Sequence, residues 1–284
     1  MSSERQVNLS EIACNIEEQA DGVWRASSNS SVSYPEDGND ACFAVEDSSF
    51  WFRHRNACLL ELLKSYPPSG TFFDVGGGNG FVAQAIQNAG LDVVLVEPGP
   101  AGVRNAPKRG IRYIIHGTLE DAQFRPATLP AVGLFDVIEH IQDDAKFLRK
   151  LHSLLRPNGR VYITVPAFQA LWSHEDQEAG HWRRYTLQSL SDTLHDSGYE
   201  VELATYIFGF LPAAILVFRV LPFRMGLRRR RSDAERMRAE HKPSYPVLAR
   251  AVSFLTRREL SRLSRGHSCR FGASCIVVAR KVGA

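Results

Sequence analysis

Apolar runs and helical patterns alternate along most of the chain. The first unit is the apolar run at residues 71–75, which stops at glycines and is followed by a helical pattern at residues 81–89. Short apolar runs bounded by glycine indicate buried strands, so this stretch predicts a strand, a tight turn and a helix. Further strands are predicted at residues 92–97, 111–116, 131–135, 159–165, 198–204 and 273–281.

The glycine turn after the first strand favours a bound ligand. Gly76, Gly77, Gly78 and Gly80 follow Asp74, and glycine allows positive φ and a close approach of the backbone to a ligand. The helix that follows offers free N–H groups. Open α/β sheets bind nucleotide-like cofactors at the carboxyl ends of their strands. A purely structural turn is the alternative interpretation.

The glycines alone leave two cofactors open. Gly78, Gly80 and Ala83 satisfy the loose dinucleotide pattern G-x-G-x-x-A, which is compatible with NAD. Asp74 instead favours a cationic ligand or a ligand hydroxyl, because a carboxylate is awkward beside a pyrophosphate. Glu97 ends the second strand, where an acid can accept hydrogen bonds from both ribose hydroxyls. A solvated acid at the strand end is the alternative for Glu97.

Four motifs in order resemble those of the class I S-adenosylmethionine (SAM) methyltransferases. The resemblance covers about residues 50–205 and extends to the last strand. It implies an α/β, Rossmann-like class I methyltransferase fold with a seven-stranded, mostly parallel sheet, helices on both faces and an antiparallel last strand. It also implies SAM as the cofactor. The motifs are Asp74-Val-Gly-Gly-Gly-Asn-Gly80, Glu97, Asp136-Val-Ile-Glu-His-Ile141 and Leu155-Arg-Pro-Asn-Gly159.

The resemblance also implies the residues that bind the cofactor. In the family, an acidic pair after the third strand lies near the adenine, and Glu120 and Asp121 occupy that place here. A solvated loop is the alternative for this pair. The implied cofactor-binding residues are Asp74, Gly76, Gly77, Gly78, Gly80, Glu97, Pro98, Leu119, Glu120 and Asp136.

A segment rich in aromatic and cationic residues precedes the first strand, at residues 48–56. It begins a predicted helix that Ser48 or Ser49 can cap. A similar segment in a subgroup of bacterial class I methyltransferases implies that Trp51, Arg53 and Arg55 close over SAM or bind the substrate. Ordinary packing of an amphipathic helix is the alternative.

Catalytic chemistry is predicted in the loops after the fourth and fifth strands. Glu139 and His140 follow the fourth strand, at the edge where α/β sheets bind ligands. Two neighbouring ligands are too few for a metal site, so no metal is predicted. The loop at residues 171–185 concentrates histidines, aromatics and arginines, and a self-contained polar loop is its alternative. The candidates are Glu139, His140, His174, Asp176 and His181 for catalysis, with Trp172, Arg184 and Tyr185 for acceptor binding.

The chain divides into four predicted regions. Residues 1–47 form an arm or a flap over the active site, and residues 48–205 form the SAM-binding core. Residues 206–268 are an insertion, and residues 269–284 carry the last strand. The insertion has an apolar run at residues 207–218, too short to span a membrane, with a basic cluster after it at residues 228–231.

The insertion leaves two interpretations open. An apolar helix beside a basic cluster can lie on an anionic membrane face, which predicts peripheral membrane contact through residues 206–231. The alternative is a helix buried against the substrate loop, with a solvated basic linker after it.

Composition narrows the remaining choices. A net charge of +3 over 284 residues does not favour a nucleic-acid partner. Five cysteines without a C-x-x-C pair suit a reducing compartment. The first residues lack the pattern of a secretory signal. A cytoplasmic protein is therefore predicted, with peripheral contact to the inner membrane face.

These observations predict a SAM-dependent methyltransferase with a small-molecule acceptor. The resemblance extends to quinone O-methyltransferases and to enzymes of cell-envelope sugars or lipids, so O-methylation of a quinone-like or lipid-linked acceptor is expected. One alternative is an NAD-dependent oxidoreductase that uses Gly78, Gly80, Ala83 and Glu97. The other alternative is a non-catalytic SAM-fold binding protein.

Overall fold

The computed structural model describes residues 7–28, 30, 38–227 and 246–282, which build one nine-stranded sheet. The order across the sheet is β1-β2-β5-β4-β3-β6-β7-β9-β8. Strands β2 to β7 run parallel to one another, whereas β1 pairs antiparallel with β2, and β9 pairs antiparallel with both β7 and β8. The strands are β1 (Ile16–Glu18), β2 (Val23–Ala26), β3 (Phe72–Val75), β4 (Val93–Glu97), β5 (Tyr113–His116), β6 (Leu129–Phe135), β7 (Leu155–Pro166), β8 (Tyr199–Ile207) and β9 (Ser274–Lys281).

Helices cover both faces of the sheet, and their side chains complete two apolar cores. Alternate residues of one strand enter opposite cores: Phe73 and Val75 lie in one, and Phe72 lies in the other. Burial on both faces explains why these strands read as continuous apolar runs. The helices are α1 (Leu9–Ile12), α2 (Gly38–Phe43), α3 (Phe50–Ser65), α4 (Phe81–Asn88), α5 (Pro100–Asn105), α6 (Leu119–Ala122), α7 (Asp144–Leu154), α8 (His174–Glu178), α9 (Leu187–Asp196), α10 (Leu211–Ile215), α11 (Leu221–Arg224) and α12 (Pro246–Leu263).

The fold prediction is confirmed, but its count of seven strands is too low. All seven predicted strands are present, and the last is antiparallel to both neighbours. The two further strands come from the predicted N-terminal arm, where β2 pairs with β5 and Val23 lies opposite Ile114. These strands have three and four residues, and Val23 is their only buried residue. Their apolar pattern is therefore too weak to be read from the sequence.

The insertion packs on the core through α3. Glu259 of α12 is buried and accepts hydrogen bonds from Phe208 N at 2.6 Å and Gly209 N at 2.8 Å. His54 Nε2 of α3 lies 2.8 Å from the same carboxylate. A single turn of π-helix at Leu216–Val220 joins α10 to α11. The predicted basic cluster at residues 228–231 lies outside the described residues. No described helix is long and apolar enough to cross a bilayer.

Candidate active site

A cleft opens along the carboxyl edge of the parallel strands. It encloses about 1310 Å³, above the roughly 300–1,000 Å³ of typical ligand pockets. The loops after β3, β4, β5 and β6 line it, and the end of β7 closes one side. Parallel strands end at the same edge, so residues far apart in the chain meet here. The volume can hold a cofactor together with a second ligand.

The glycine turn between β3 and α4 brings bare backbone to the cleft. Gly76, Gly78 and Gly80 have φ angles of 69°, 54° and 76°, in the left-handed region that favours glycine. At Gly77 an added Cβ would lie only 2.5 Å from Asp74 Oδ2. The turn therefore requires glycine, and its backbone forms a cradle beside Asp74.

Two buried carboxylates flank this cradle. Asp74 has no exposed surface, and neither carboxylate oxygen has a hydrogen-bond partner in the described parts of the chain. Burial raises the pKa of Asp74 to about 7, although the charge of Arg55 opposes the rise. Glu97 accepts hydrogen bonds from Gly78 N at 2.8 Å and Gly99 N at 2.7 Å, and burial raises its pKa to about 7. Asp74 thus lacks the cation or donor that a buried carboxylate needs.

The loop after β5 contributes Leu119 and Glu120 to the cleft lining, and Pro98 lines it after β4. Asp121 instead faces the N-terminal arm, where it accepts hydrogen bonds from Ser30 N at 3.0 Å and Ser30 Oγ at 2.7 Å. Burial raises the pKa of Asp121, but bonds from Ser30 and Thr118 hold it at about 2. Of the predicted acidic pair, the structure brings only Glu120 to the cleft.

Helix α2 lies over the glycine turn and supplies residues that sequence analysis missed. Asn79 Nδ2 donates to Asn39 O at 2.7 Å and to Glu46 Oε1 at 3.2 Å. Arg109 Nη2 donates to the other Glu46 oxygen at 2.8 Å. Asn39 and Glu46 both line the cleft. Their segment is polar and without periodicity, so the sequence carries no signal for this role.

Helix α3 places Trp51 and Arg55 in the cleft lining. Ser49 caps this helix by accepting from Trp51 N at 3.2 Å. Arg55 lies 4.9 Å from the centre of the Trp51 ring, and its Nη1 donates to Asp136 Oδ2. Asp136 has a positive φ of 58° at the end of β6, and it also lines the cleft. Arg53, in contrast, is exposed and does not line the cleft.

Glu139, His140 and His181 form a polar cluster, named here the EHH cluster. The first two lie on a short turn after β6, and His181 reaches them from the loop after β7. One ligand atom of each residue lies within 4.8 Å of the others, and the two imidazole centroids are 4.7 Å apart. Burial, and then the Asp136 charge, raises the pKa of Glu139 well above its usual range. Burial and the neighbouring His181 lower the pKa of His140 to about 4.

Asp176 orients the His181 ring through a hydrogen bond on the side of the ring away from the cleft. It is fully buried, and its Oδ1 accepts from His181 Nδ1 and Arg184 Nε, both at 2.8 Å. Burial raises the pKa of Asp176, but hydrogen bonds from His181 and Arg184 bring it below its usual value. Trp182 N donates to Glu139 O at 2.8 Å, which holds the loop against the turn after β6. Asp176 therefore positions His181 and does not itself line the cleft.

Other predicted residues of the loop point elsewhere. His174 packs against the Phe223 ring, with centroids 4.6 Å apart. Tyr185 is buried and donates to Asp144 Oδ2 at 2.6 Å. The structure thus brings only one of the two loop histidines to His140. Trp172, His174, Arg184 and Tyr185 are not among the residues that line the cleft.

Comparisons with known proteins agree with this geometry. A family model described as "Methyltransferase domain" matches residues 50–204, more than half of the chain. A "Probable S-adenosylmethionine-dependent methyltransferase" of Mycolicibacterium smegmatis is 26% identical over 177 residues, which cover 61% of this chain and 68% of that protein. The mitochondrial ubiquinone biosynthesis O-methyltransferase of Schizosaccharomyces pombe is 29% identical over 100 residues, 32% of this chain.

The match spans only 36% of the length of the yeast protein. Among solved structures, a Haemonchus contortus phosphoethanolamine N-methyltransferase with phosphomonomethylethanolamine and S-adenosylhomocysteine has a TM-score of 0.53 and 19% identity. The similarity covers 87% of this chain and 58% of that one. At this identity it shows the fold alone.

Proposed function

The chain belongs to the SAM-dependent methyltransferases, and we propose that it methylates an oxygen atom of a small-molecule acceptor. The observation that carries the proposal is the position of the EHH cluster. It lines the same cavity as the glycine turn and its two buried carboxylates. A donor bound at the turn and an acceptor bound at the cluster would share one cavity.

The residues at the turn fit SAM. The unpartnered carboxylate of Asp74 suits the cationic amino-acid part of the cofactor. Glu97, fixed by two backbone N–H groups, suits the ribose hydroxyls. Leu119 and Glu120 line the cleft after β5 and would flank the adenine. When bound, SAM supplies an electrophilic methyl carbon.

The chain's own residues would position the acceptor and assist the loss of its proton. The acceptor oxygen forms a bond to the methyl carbon while the carbon–sulfur bond breaks, and its electron pair stays on sulfur. A hydroxyl acceptor therefore releases one proton for each methyl group transferred. Because Nδ1 of His181 is bonded to Asp176, Nε2 remains to engage the acceptor hydroxyl. In-line positioning would contribute most of the rate enhancement.

The cleft walls favour an acceptor with an apolar ring. Trp51, Phe147 and Trp182 line the cleft, together with Lys146 and Lys150. Aromatic walls suit a phenol or quinol ring, and the lysines suit an acidic substituent. One relative is a ubiquinone biosynthesis O-methyltransferase of yeast, and this similarity supports the same class of acceptor.

A methyl-transfer assay with catechol and phenol acceptors tests the proposal, with S-adenosylhomocysteine release as the readout. We expect His181→Ala to reduce kcat about 100-fold, the usual scale for a group that assists proton transfer. SAM affinity should change less than about twofold, since His181 is bonded to Asp176 and is not one of the residues assigned to the cofactor. The matched variant is His174→Ala in the same loop, which should retain kcat. Equal losses in both variants would contradict the assignment.

We also propose that the insertion contacts an anionic membrane surface, which would give access to a lipid-linked acceptor. Helices α10, α11 and α12 and the π-helical turn at Leu216–Val220 expose large apolar side chains, including Val217 at 51%, Val247 at 77% and Phe254 at 64%. Glu259 is the only acid on these helices, and it is buried. Their exposed charges are therefore all positive, which favours anionic lipids. The exposed arginines are Arg224, Arg250, Arg257, Arg258 and Arg262, whereas Arg219 is half-buried with its Nε 3.8 Å from Glu175 Oε1.

Sedimentation with phosphatidylglycerol vesicles tests this contact, with phosphatidylcholine vesicles in parallel. We expect binding to the anionic vesicles at low salt and its loss at high salt. The double variant Val247→Ser and Leu248→Ser should weaken binding. Val282→Ser, which changes an apolar side chain of 50% exposure outside the insertion, should not. Equal sedimentation of all three proteins would refute the contact.

A further inference from the structure

Glu139 presents an electrostatic problem that its surroundings do not solve. Its side chain has no exposed surface, and neither carboxylate oxygen accepts a hydrogen bond from any described residue. Leaving a buried carboxylate without a partner costs several kcal/mol. The nearby Asp136 adds negative charge, and the opposing charges of Arg55 and Arg184 do not offset the combined effect of burial and Asp136. Such an oxygen pair needs a cation or a set of donors that a ligand brings.

Two imidazoles face this carboxylate and complete a set of metal-binding atoms. The ligand atoms of the EHH cluster all lie within 4.8 Å of one another. A tetrahedral set at about 2.0–2.2 Å from a metal has ligand atoms about 3.3 Å apart. The three side chains would therefore close by at most about 1.5 Å, which side-chain rotation can supply.

Hydrogen bonds behind the cluster already fix the histidine that the loop contributes. His181 Nδ1 donates to Asp176 at 2.8 Å, so Nε2 carries the free lone pair. Asp176 is held in turn by Arg184 Nε. A carboxylate behind a histidine is the usual support of a metal ligand, since it fixes the ring and raises its basicity. The loop thus presents a preorganised nitrogen ligand to the cleft.

A second cluster of similar composition also has its ligand atoms close together, but its carboxylate is hydrogen-bonded. His54, Cys58 and Glu259 are all buried and close together. The Glu259 carboxylate is satisfied by two backbone N–H groups and by His54. Burial raises the pKa of the Cys58 thiol well above its usual value, which disfavours the thiolate that binds metals. This cluster joins α3 to α12 and has no unsatisfied carboxylate.

We propose that Glu139, His140 and His181 bind one divalent transition-metal cation. Two imidazoles and one carboxylate suit Zn²⁺, Mn²⁺, Fe²⁺ or Co²⁺ better than Mg²⁺, which prefers oxygen ligands. Three protein ligands leave a coordination position open toward the cleft, as in catalytic metal sites. The cluster was not predicted from the sequence, because Glu139 and His140 alone are two ligands and His181 lies 41 residues beyond His140.

The cation would activate the acceptor, and this role rests on the proposed function. With the cation bound, His181 Nε2 is a metal ligand, so the cation takes over from the imidazole the task of assisting proton loss. A metal-bound hydroxyl is more acidic than a free one, so the acceptor would lose its proton to solvent and present its oxygen to the methyl carbon. The binding of the cation itself does not depend on that function. The metal site and the methyltransferase function can therefore be refuted independently of each other.

Cobalt titration of the full chain tests the site. The purified protein is stripped with a chelator and titrated with Co²⁺, whose visible absorption reports coordination geometry. We expect one bound Co²⁺ per chain, with a spectrum that excess Zn²⁺ abolishes. Glu139→Gln and His181→Ala should each weaken Co²⁺ binding at least tenfold, and Asp176→Asn about 10- to 100-fold. The control is His195→Ala on the exposed face of α9, which should bind Co²⁺ like the wild type.

Catechol, a bidentate oxygen donor, then probes the open position and should shift the Co²⁺ spectrum. SAM affinity and circular dichroism of each variant establish that it is folded. The proposal is overturned if the stripped protein binds no Co²⁺, or if the cluster variants bind it as tightly as His195→Ala. Full methyl transfer by the stripped protein would refute the metal's role and leave the proposed function standing. Metal binding without any methyl transfer would refute the proposed function and leave the metal site standing.

Discussion

Asp74→Asn should make the stability of the protein without its cofactor less dependent on pH, and it should weaken SAM binding. The carboxylate is fully buried, and its oxygens have no hydrogen-bond partner in the described structure. The free protein therefore buries a charge to which no described residue donates a hydrogen bond, which is destabilising. Replacing the carboxylate with a neutral amide of nearly the same shape removes that charge and leaves the backbone of the turn unchanged.

The magnitude follows from the pKa of Asp74, which burial raises from 3.8 to about 7. A carboxyl group with a raised pKa in the folded state stabilises fully below the unfolded pKa. This contribution is lost as the pH rises through the folded pKa. At about 1.4 kcal/mol per pKa unit, Asp74 lowers the free energy of unfolding by roughly 2–3 kcal/mol between pH 5 and pH 8. The buried amide of the variant has its own cost of about 1–3 kcal/mol, which does not vary with pH.

Urea unfolding at pH 5 and pH 8 measures the effect. The difference in unfolding free energy between Asp74→Asn and the wild type should move by about 2–3 kcal/mol in favour of the variant over this range. The Glu97 carboxylate is present in both proteins, and its charge contributes to the raised pKa of Asp74. Asp92→Asn, at an exposed position before β4, is the matched control and should show no such change. Calorimetric titration should show SAM binding at least about tenfold weaker in Asp74→Asn, a loss of about 1.4 kcal/mol.

Two results would refute this reasoning. If the stability difference between variant and wild type is the same at both pH values, Asp74 is not a strained buried carboxylate. If SAM binds the variant as tightly as the wild type, Asp74 does not complement the cofactor. Either outcome can occur without the other, so the electrostatic and the functional claims are tested independently.

Three other substitutions test neighbouring features. Gly77→Ala should weaken SAM binding at least about tenfold in calorimetry, because the new Cβ would lie 2.4 Å from Leu95 Cδ1. In the wild type, SAM affinity should rise between pH 6 and pH 8 as the Asp74 and Glu97 carboxyls ionise near pH 7. Glu97→Gln should remove about half of that pH dependence. It should also weaken SAM binding about tenfold relative to the wild type. Glu259→Gln should lower the unfolding free energy by about 2 kcal/mol in urea, because the buried carboxylate accepts three hydrogen bonds.

Local sequence determined the elements around the cofactor. The run at residues 71–75, the glycines after it and the helical pattern beyond depend on residues next to each other in the chain. A strand buried on both faces must be apolar throughout, and a turn without room for a Cβ must use glycine. The resemblance to class I methyltransferases rests on the same local motifs. The fold, the family and the cofactor could therefore be predicted.

Contacts between segments far apart in the chain determine the features that could not be predicted from the sequence. The short strand β2 carries almost no apolar signal, and it exists because β5 offers a free edge for hydrogen bonding. Helix α2 covers the glycine turn through bonds between residues about 40 positions apart. Neither contact has a periodicity that a reader of the chain could detect.

The candidate site shows the same division. From the sequence, His174 and His181 in the loop at residues 171–185 are equally good candidates for a catalytic residue. Only the tertiary structure separated them, because Asp176 and Arg184 fold the loop so that His181 meets His140 while His174 packs on Phe223. Sequence patterns record which residues a segment must bury. The direction of a side chain in a polar loop depends on partners that only the folded chain brings together.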